Sequence, residues 1–180
     1  MKEPEHGSGG AVQSSTLSQT AAVGHAVAAG GASILVAVDF SADSEHALVW
    51  AFDHARCTDA TVEVLHVVHD PASSPGIYRP DNGDPLEPTK DVAERKLAAY
   101  LDEVRERHPE IPDQNAIMSF CRPGLPVDTI LRTVAERGAS LLVVGCHGRN
   151  GAARLLFGST SQSVAQKADI PVTIVKASGG

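Results

Sequence analysis

Short apolar runs and longer stretches of helical spacing alternate along most of this chain. Ile34-Leu35-Val36-Ala37-Val38 is a continuous apolar run, as expected for a strand covered on both faces. Ser41 then suits a helix N-cap, and Asp43 and Glu45 fall in a first turn, where the helix dipole favours acid. Ala47, Leu48, Ala51, Phe52 and Ala55 recur at helical spacing, and Thr61 to Val68 reads as a second strand. Ala93, Leu97, Leu101 and Val104 mark one face of a second helix, and Ala116 to Cys121 reads as a third strand. Pro126 opens and Gly138 closes a third helix, whose Val127, Ile130, Leu131, Val134 and Ala135 form an apolar stripe. Leu141-Leu142-Val143-Val144 is a fourth buried strand ending at Gly145. Ser159 and Gln162 have capping-box spacing and predict the start of a last helix. Pro171 ends it, and Val172-Thr173-Ile174-Val175 is a fifth strand.

The order β-α-β-α-β-α-β-α-β implies a single α/β domain, a doubly wound five-stranded parallel sheet with helices on both faces and right-handed crossovers. Ligands of such sheets bind beyond the carboxyl ends of the strands, where the strand order reverses. Two segments therefore draw attention: the turn after strand one, from Val38 to Ser41, and the loop from Gly145 onward. The domain is expected over 32–177. Residues 1–31, rich in Gly, Ser, Ala, Thr and Gln, read as a flexible tail with a transient helix near Thr20–Ala29, and 178–180 as a short C-terminal tail. Pro71, Pro75, Pro80, Pro85 and Pro88 forbid a regular element across 70–88, which reads as a long loop.

Composition narrows the function classes. The 180 residues suffice for one well-buried domain, with 42% hydrophobic and 21% charged residues. A formal charge of −7 argues against a nucleic-acid footprint. It does not exclude a small anionic ligand, because backbone N–H groups bind phosphate without Lys or Arg. Cys57, Cys121 and Cys146 form no C-x-x-C pair, so neither a disulfide framework nor a zinc knuckle is expected. His46, His54, His66 and His69 match no zinc spacing. With no membrane-length apolar run and no signal peptide, a cytoplasmic protein without a membrane partner is the expectation.

The chemistry concentrates after strand four, in Gly145-Cys146-His147-Gly148-Arg149-Asn150-Gly151 and then Gly158-Ser159-Thr160-Ser161. Glycines there permit close backbone approach to a ligand. Successive N–H groups can form an anion-binding nest, and the start of the last helix points its unpaired N–H groups to the same place. The hydroxyls of Ser159, Thr160 and Ser161 add donors. No Walker A loop, no G-x-G-x-x-G after the first strand and no G-x-S-x-G is present.

Gly145, two residues, Gly148, nine residues, then Gly158-Ser159 resembles the G-2x-G-9x-G-[ST] signature of the ATP-binding universal stress proteins. The first strand and turn, Leu65-His66-Val67-Val68, and Ile170-Pro171-Val172-Thr173-Ile174-Val175 are similar to that family's first, second and last strands, so the likeness runs from about Ser33 to Lys176. The resemblance implies a Rossmann-like sheet of order 3-2-1-4-5 and a cytoplasmic, nucleotide-dependent stress-response module. It implies that Asp39 sits beside the ribose, Ala37 and Val38 flank the adenine, and Val67 touches the base. Val144 and Gly145 would line the adenine and ribose region. Gly148, Gly158, Ser159, Thr160 and Ser161 would hold the phosphates of ATP, ADP or AMP, with Mg²⁺ a candidate bridge between them. It further implies a homodimer through the strand-five edge, Val172 to Val175. Ala37-Val38 replaces the more polar pair found in some ATP-binding members.

Plainer readings stand beside these. Asp39 also fits a cap for the following helix, and Ser159 an N-cap alone. His147 reads as structural, because no partner carboxylate is evident in the sequence. Arg149 and Arg154 fit phosphate neutralisation or solvated surface, and Trp50 reads as partly buried packing. A slow nucleotide hydrolase or phosphotransferase, with Asp39 or His147 as base, and a structural dimer without nucleotide are the alternatives to a binding module. The binding module is the favoured reading, with weak ATPase activity at most.

Overall fold

In the structure, a computed structural model, residues 31–69, 89–112, 117–148 and 158–177 are described. The tail, the proline-rich loop and the two arginines of the glycine loop singled out above lie outside them. The strands are β1 (Ser33–Val38), β2 (Thr61–Val68), β3 (Met118–Pro123), β4 (Leu141–Gly145) and β5 (Val172–Val175). The helices are α1 (Ala42–Thr58), α2 (Thr89–Arg107), α3 (Pro126–Arg137) and α4 (Ser159–Lys167). All strand pairs are parallel, in the order β3-β2-β1-β4-β5. β1 lies between β2 and β4, so the winding reverses between β1 and β4 and their carboxyl ends flank the crevice expected to take ligands.

The unbroken apolar run of β1 has a direct cause. Successive side chains point to opposite faces, and both faces are covered. Ile34, Val36 and Val38 pack with Ala47, Leu48 and Ala51 of α1 and Leu97, Leu101 and Val104 of α2. Leu35 points the other way, into Ile130 and Val134 of α3 and Val164 of α4. Two cores therefore lie on either side of one sheet.

Ser41 caps α1 as expected, its hydroxyl accepting the Ser44 N–H at 3.2 Å. Gly138 ends α3 in the left-handed region, φ 64°, and the Ala139 N–H bonds the Val134 carbonyl at 3.1 Å. Two expectations need correction. β3 runs over Met118–Pro123, shifted towards the C-terminus from the expected strand. It is an edge strand with one buried residue, Cys121, so apolar content does not mark its limits, and a proline is tolerated at its end. The predicted capping box is absent too. Gly158 is the N-cap of α4, no side chain caps it, and Ser159 is already helical.

Candidate functional site

Between β1 and α1 the chain turns through Asp39, Phe40 and Ser41. Asp39 Oδ1 accepts the Ser41 N–H at 3.1 Å and the Ser41 hydroxyl at 2.6 Å. Phe40 has φ 64°, a conformation that costs a bulky residue roughly 1 kcal/mol. Packing offsets that strain: the Phe40 ring lies 4.2 Å from the His66 ring and 5.2 Å from the Tyr100 ring, centroid to centroid. His66 is buried, and its Nδ1 lies 2.8 Å from the Val38 carbonyl, placed to donate to it. That bond ties the end of β1 to β2 from within the sheet.

The loop after β4 comes back onto this turn. A Cβ at Gly148 would lie 2.7 Å from Asp39 Oδ2, closer than a carbon and an oxygen can approach, so any side chain there must push the carboxylate aside. The Ser41 hydroxyl also faces the His147 carbonyl, at 3.2 Å. Gly145 serves a different purpose. A Cβ there would meet the Asp43 carbonyl carbon and the Ser44 nitrogen, each at 2.8 Å, so its bare backbone lets the first turn of α1 press against the end of β4.

The start of α4 closes the third side. The Gly158 N–H donates to the Cys146 carbonyl at 2.8 Å, and a Cβ at Gly158 would sit 3.1 Å from that oxygen. Ser161, 3% exposed, places its hydroxyl 2.9 Å from both the Cys146 and Gly158 carbonyls. Its single proton is engaged by backbone, so the side chain pins α4 to the loop and has no proton left for a phosphate oxygen. Ser159 is exposed and Thr160 half-buried, and both belong to a first turn that no side chain caps. The first N–H groups of such a helix lack intrahelical acceptors and carry the positive end of its dipole.

The predicted site residues thus fall into three groups. Asp39 and Gly148 meet beyond the ends of β1 and β4, and Gly158, which leads into Ser159 and Thr160, packs on the same loop at Cys146 and His147. Ala37, Val67 and Val144 share the sheet face that packs against α3 and α4. Ala37 and Val67 are half-buried, whereas Val144 is enclosed in the core and offers only its backbone. Val38 points to the opposite face, under α1 and α2, and its carbonyl faces the His66 ring. Gly145 and Ser161 hold the loop and the two helices together.

One constellation was missed. Asp43 Oδ2 accepts the His147 N–H at 2.8 Å and lies 3.0 Å from His147 Nδ1, while Oδ1 accepts the Ala177 N–H at 2.8 Å. Burial works to raise the Asp43 pKa. The N–H groups of Ala177 and His147 and the His147 ring outweigh it and hold the carboxyl below its usual range. An ionised carboxylate accepts, so Nδ1 carries the proton towards it. His147 therefore does have a partner carboxylate, one the sequence reading took only as a helix-dipole acid. The signal that could have found it is the strand order: with β1 beside β4, the first turn of α1 must border the loop after β4.

Comparison with known proteins adds an independent line. The family model described as "Universal stress protein family" matches residues 32–176. A universal stress protein of Mycobacterium tuberculosis strain H37Rv is 34% identical over 151 residues, covering 82% of this chain and 46% of that protein. The chain spans about half the length of the mycobacterial relatives it matches. Among solved structures, universal stress protein UspA from Lactobacillus plantarum superposes with a TM-score of 0.59 at 25% identity, covering 82% of this chain and 99% of that one. A universal stress protein in complex with cAMP superposes with a TM-score of 0.54 at 25% identity, covering 83% of this chain and 99% of that one.

Proposed function

This chain belongs to the universal stress protein family, and on that premise we propose that it is a regulatory module that binds an adenine nucleotide, ATP in the first instance. The observation that carries the reading is that one short loop, 146–148, touches both the Asp39 carboxylate, through the side-chain-free Gly148, and the start of the uncapped helix α4, through Gly158. The cAMP complex of a structural neighbour supports a nucleotide as the ligand class.

Charge orients the ligand. Asp39 repels phosphate and accepts hydrogen bonds, so it suits ribose hydroxyls. The start of α4 offers donors and partial positive charge, so it suits phosphates, through the N–H groups of Ser159 and Thr160 and the Thr160 hydroxyl. Ala37 and Val67, half-buried on the same sheet face, suit the apolar surface of a base. Mg²⁺ would ride on the phosphate oxygens of ATP. The module acts as a homodimer joined along β5.

Thermal unfolding with added nucleotide tests this. At a hundredfold excess over Kd, ATP adds about 2.7 kcal/mol, a rise in Tm on the order of 5–10 °C for a domain of this size. No rise with ATP, ADP, AMP or cAMP would remove the reading. Mass spectrometry of small molecules released from the purified protein identifies any nucleotide carried through purification.

A further inference from the structure

Asp43, Cys146 and His147 each present a ligand atom to the same spot beside the nucleotide crevice. A carboxylate oxygen, the Cys146 Sγ and a His147 ring nitrogen all lie within 4.8 Å of one another. Asp43 and Cys146 are buried, and His147 is half-buried. We propose that these three residues form a binding site for a zinc-class divalent cation, with the fourth position open to water on the half-buried side of His147.

The donor set argues for the class of metal. One thiol, one imidazole and one carboxylate together suit Zn²⁺ and its neighbours Co²⁺ and Ni²⁺, whereas Mg²⁺ takes oxygen ligands only. The surroundings argue for a built site. The Asp43 carboxylate is fixed by two backbone donors, the Ala177 N–H on Oδ1 and the His147 N–H on Oδ2. Such outer bonds orient metal-binding carboxylates. Its remaining contact, with His147 Nδ1 at 3.0 Å, is the one a cation would take over.

Zinc bonds of about 2.0–2.3 Å place ligand atoms roughly 3.3–3.7 Å apart around a tetrahedral ion. From a span of up to 4.8 Å, the group must therefore contract by about 1.5 Å at most. The proton balance is simple. Cys146 gives up its thiol proton to solvent as the thiolate binds the metal. The His147 ring stays neutral, its proton moving from Nδ1 to Nε2 by exchange with solvent, so that Nδ1 can ligate. Binding would lock the loop after β4 to α1 and to the end of β5, and it requires no nucleotide.

The test is a Co²⁺ titration of the full chain, reduced and without nucleotide, in a Cys57→Ser background that removes the exposed thiol. The expected result is a near-ultraviolet thiolate-to-cobalt absorption band that saturates at one equivalent, is displaced by Zn²⁺ and is untouched by Mg²⁺. Cys146→Ser should abolish the band. His147→Gln, at a half-buried position and checked for an unchanged circular dichroism spectrum, should weaken Co²⁺ binding at least about tenfold. Absence of the band, or a band of unchanged affinity in His147→Gln, overturns the proposal. An intact band in Cys146→Ser does so as well. Because the readout uses metal alone, its failure leaves the nucleotide reading standing, and a failed ATP shift leaves the metal site standing.

Discussion

Asp43 and His147, 104 residues apart in the chain, meet through one carboxylate oxygen that lies 2.8 Å from the His147 N–H and 3.0 Å from its ring Nδ1. The other oxygen of the same carboxylate holds the Ala177 N–H. One side chain in the first turn of α1 thus fastens the loop after β4 and the chain beyond β5.

Asp43→Ala removes all three acceptor contacts and takes the acceptor from two backbone N–H groups and the His147 ring in a part-buried place. Charge-assisted bonds and orphaned donors of this kind are worth about 1–3 kcal/mol each and do not add fully. The expected loss of stability is about 2–3 kcal/mol, measured by urea unfolding at neutral pH. A loss below about 0.5 kcal/mol would show that the carboxylate fastens nothing.

Gly148→Ala places a methyl group 2.7 Å from Asp39 Oδ2 and must displace it. Gly148 is exposed, so the protein without ligand should lose little stability. The rise in Tm with saturating ATP should fall by at least half, which differential scanning fluorimetry of variant and wild type reads directly.

The three thiols should react very unevenly. Cys57 is exposed, whereas Cys121 and Cys146 are 6% and 3% exposed. Burial pushes the Cys121 thiol up to about 12 and also raises Cys146, with the Asp43 charge adding to it. Reactivity follows thiolate and access. Native protein at pH 7.5 should therefore take up one maleimide, at Cys57, with the other two at least about a hundredfold slower; mass spectrometry of timed samples checks this.

Glu45 has a depressed pKa, chiefly because the Arg107 guanidinium hydrogen-bonds it, at 2.8 and 2.9 Å, against the opposing effect of burial. His108 Nε2 faces the same carboxylate at 3.3 Å. A carboxylate with a lowered folded pKa adds stability above its unfolded value of 4.5, and the gain disappears as pH falls through the folded pKa. Arg107 is half exposed, so solvent screens the pair and its contribution is small. Arg107→Ala should lower stability slightly at pH 7 and not at all once pH lies below both values, as paired urea melts would reveal.

The proposed dimer edge has a defined polarity. The Pro171 carbonyl accepts from Leu142 and the Val175 carbonyl from Cys146, so residues 171, 173 and 175 face β4. The backbone of Val172 and Ile174 therefore points outward. Ile174→Pro removes an outward N–H without breaking a bond to β4. Sedimentation equilibrium should show a dimer for wild type and a monomer for Ile174→Pro, with the helical circular dichroism unchanged in both. A wild-type monomer would overturn the proposed β5 dimer.

Much of the fold was legible because the buried strands carry their own signature. Ile34 to Val38 and Leu141 to Val144 are apolar without interruption because a core lies on each face. β3 was misplaced because an edge strand needs only Cys121 inside, and its remaining limits follow from pairing with β2, which a local pattern does not encode. In the candidate site, glycine spacing drew attention to the loop that meets Asp39. It did not reveal that Gly148 is set by Asp39 while Gly145 is set by α1, nor that the Ser161 proton is taken by carbonyls. Those facts depend on which segments become neighbours. The Asp43–His147 pair was invisible for the same reason.

The bond from Ala177 to Asp43 spans 134 residues. Contacts so distant in sequence close late, after the entropy of the intervening chain has been surrendered. On a ribosome, the first helix can form with its carboxylate waiting, but the crevice stays open on one flank until the final strand has emerged and docked. The fastening of α1 to the end of the sheet is therefore a property that nascent chains lack, and it arrives only once the polypeptide has been made through Ala177.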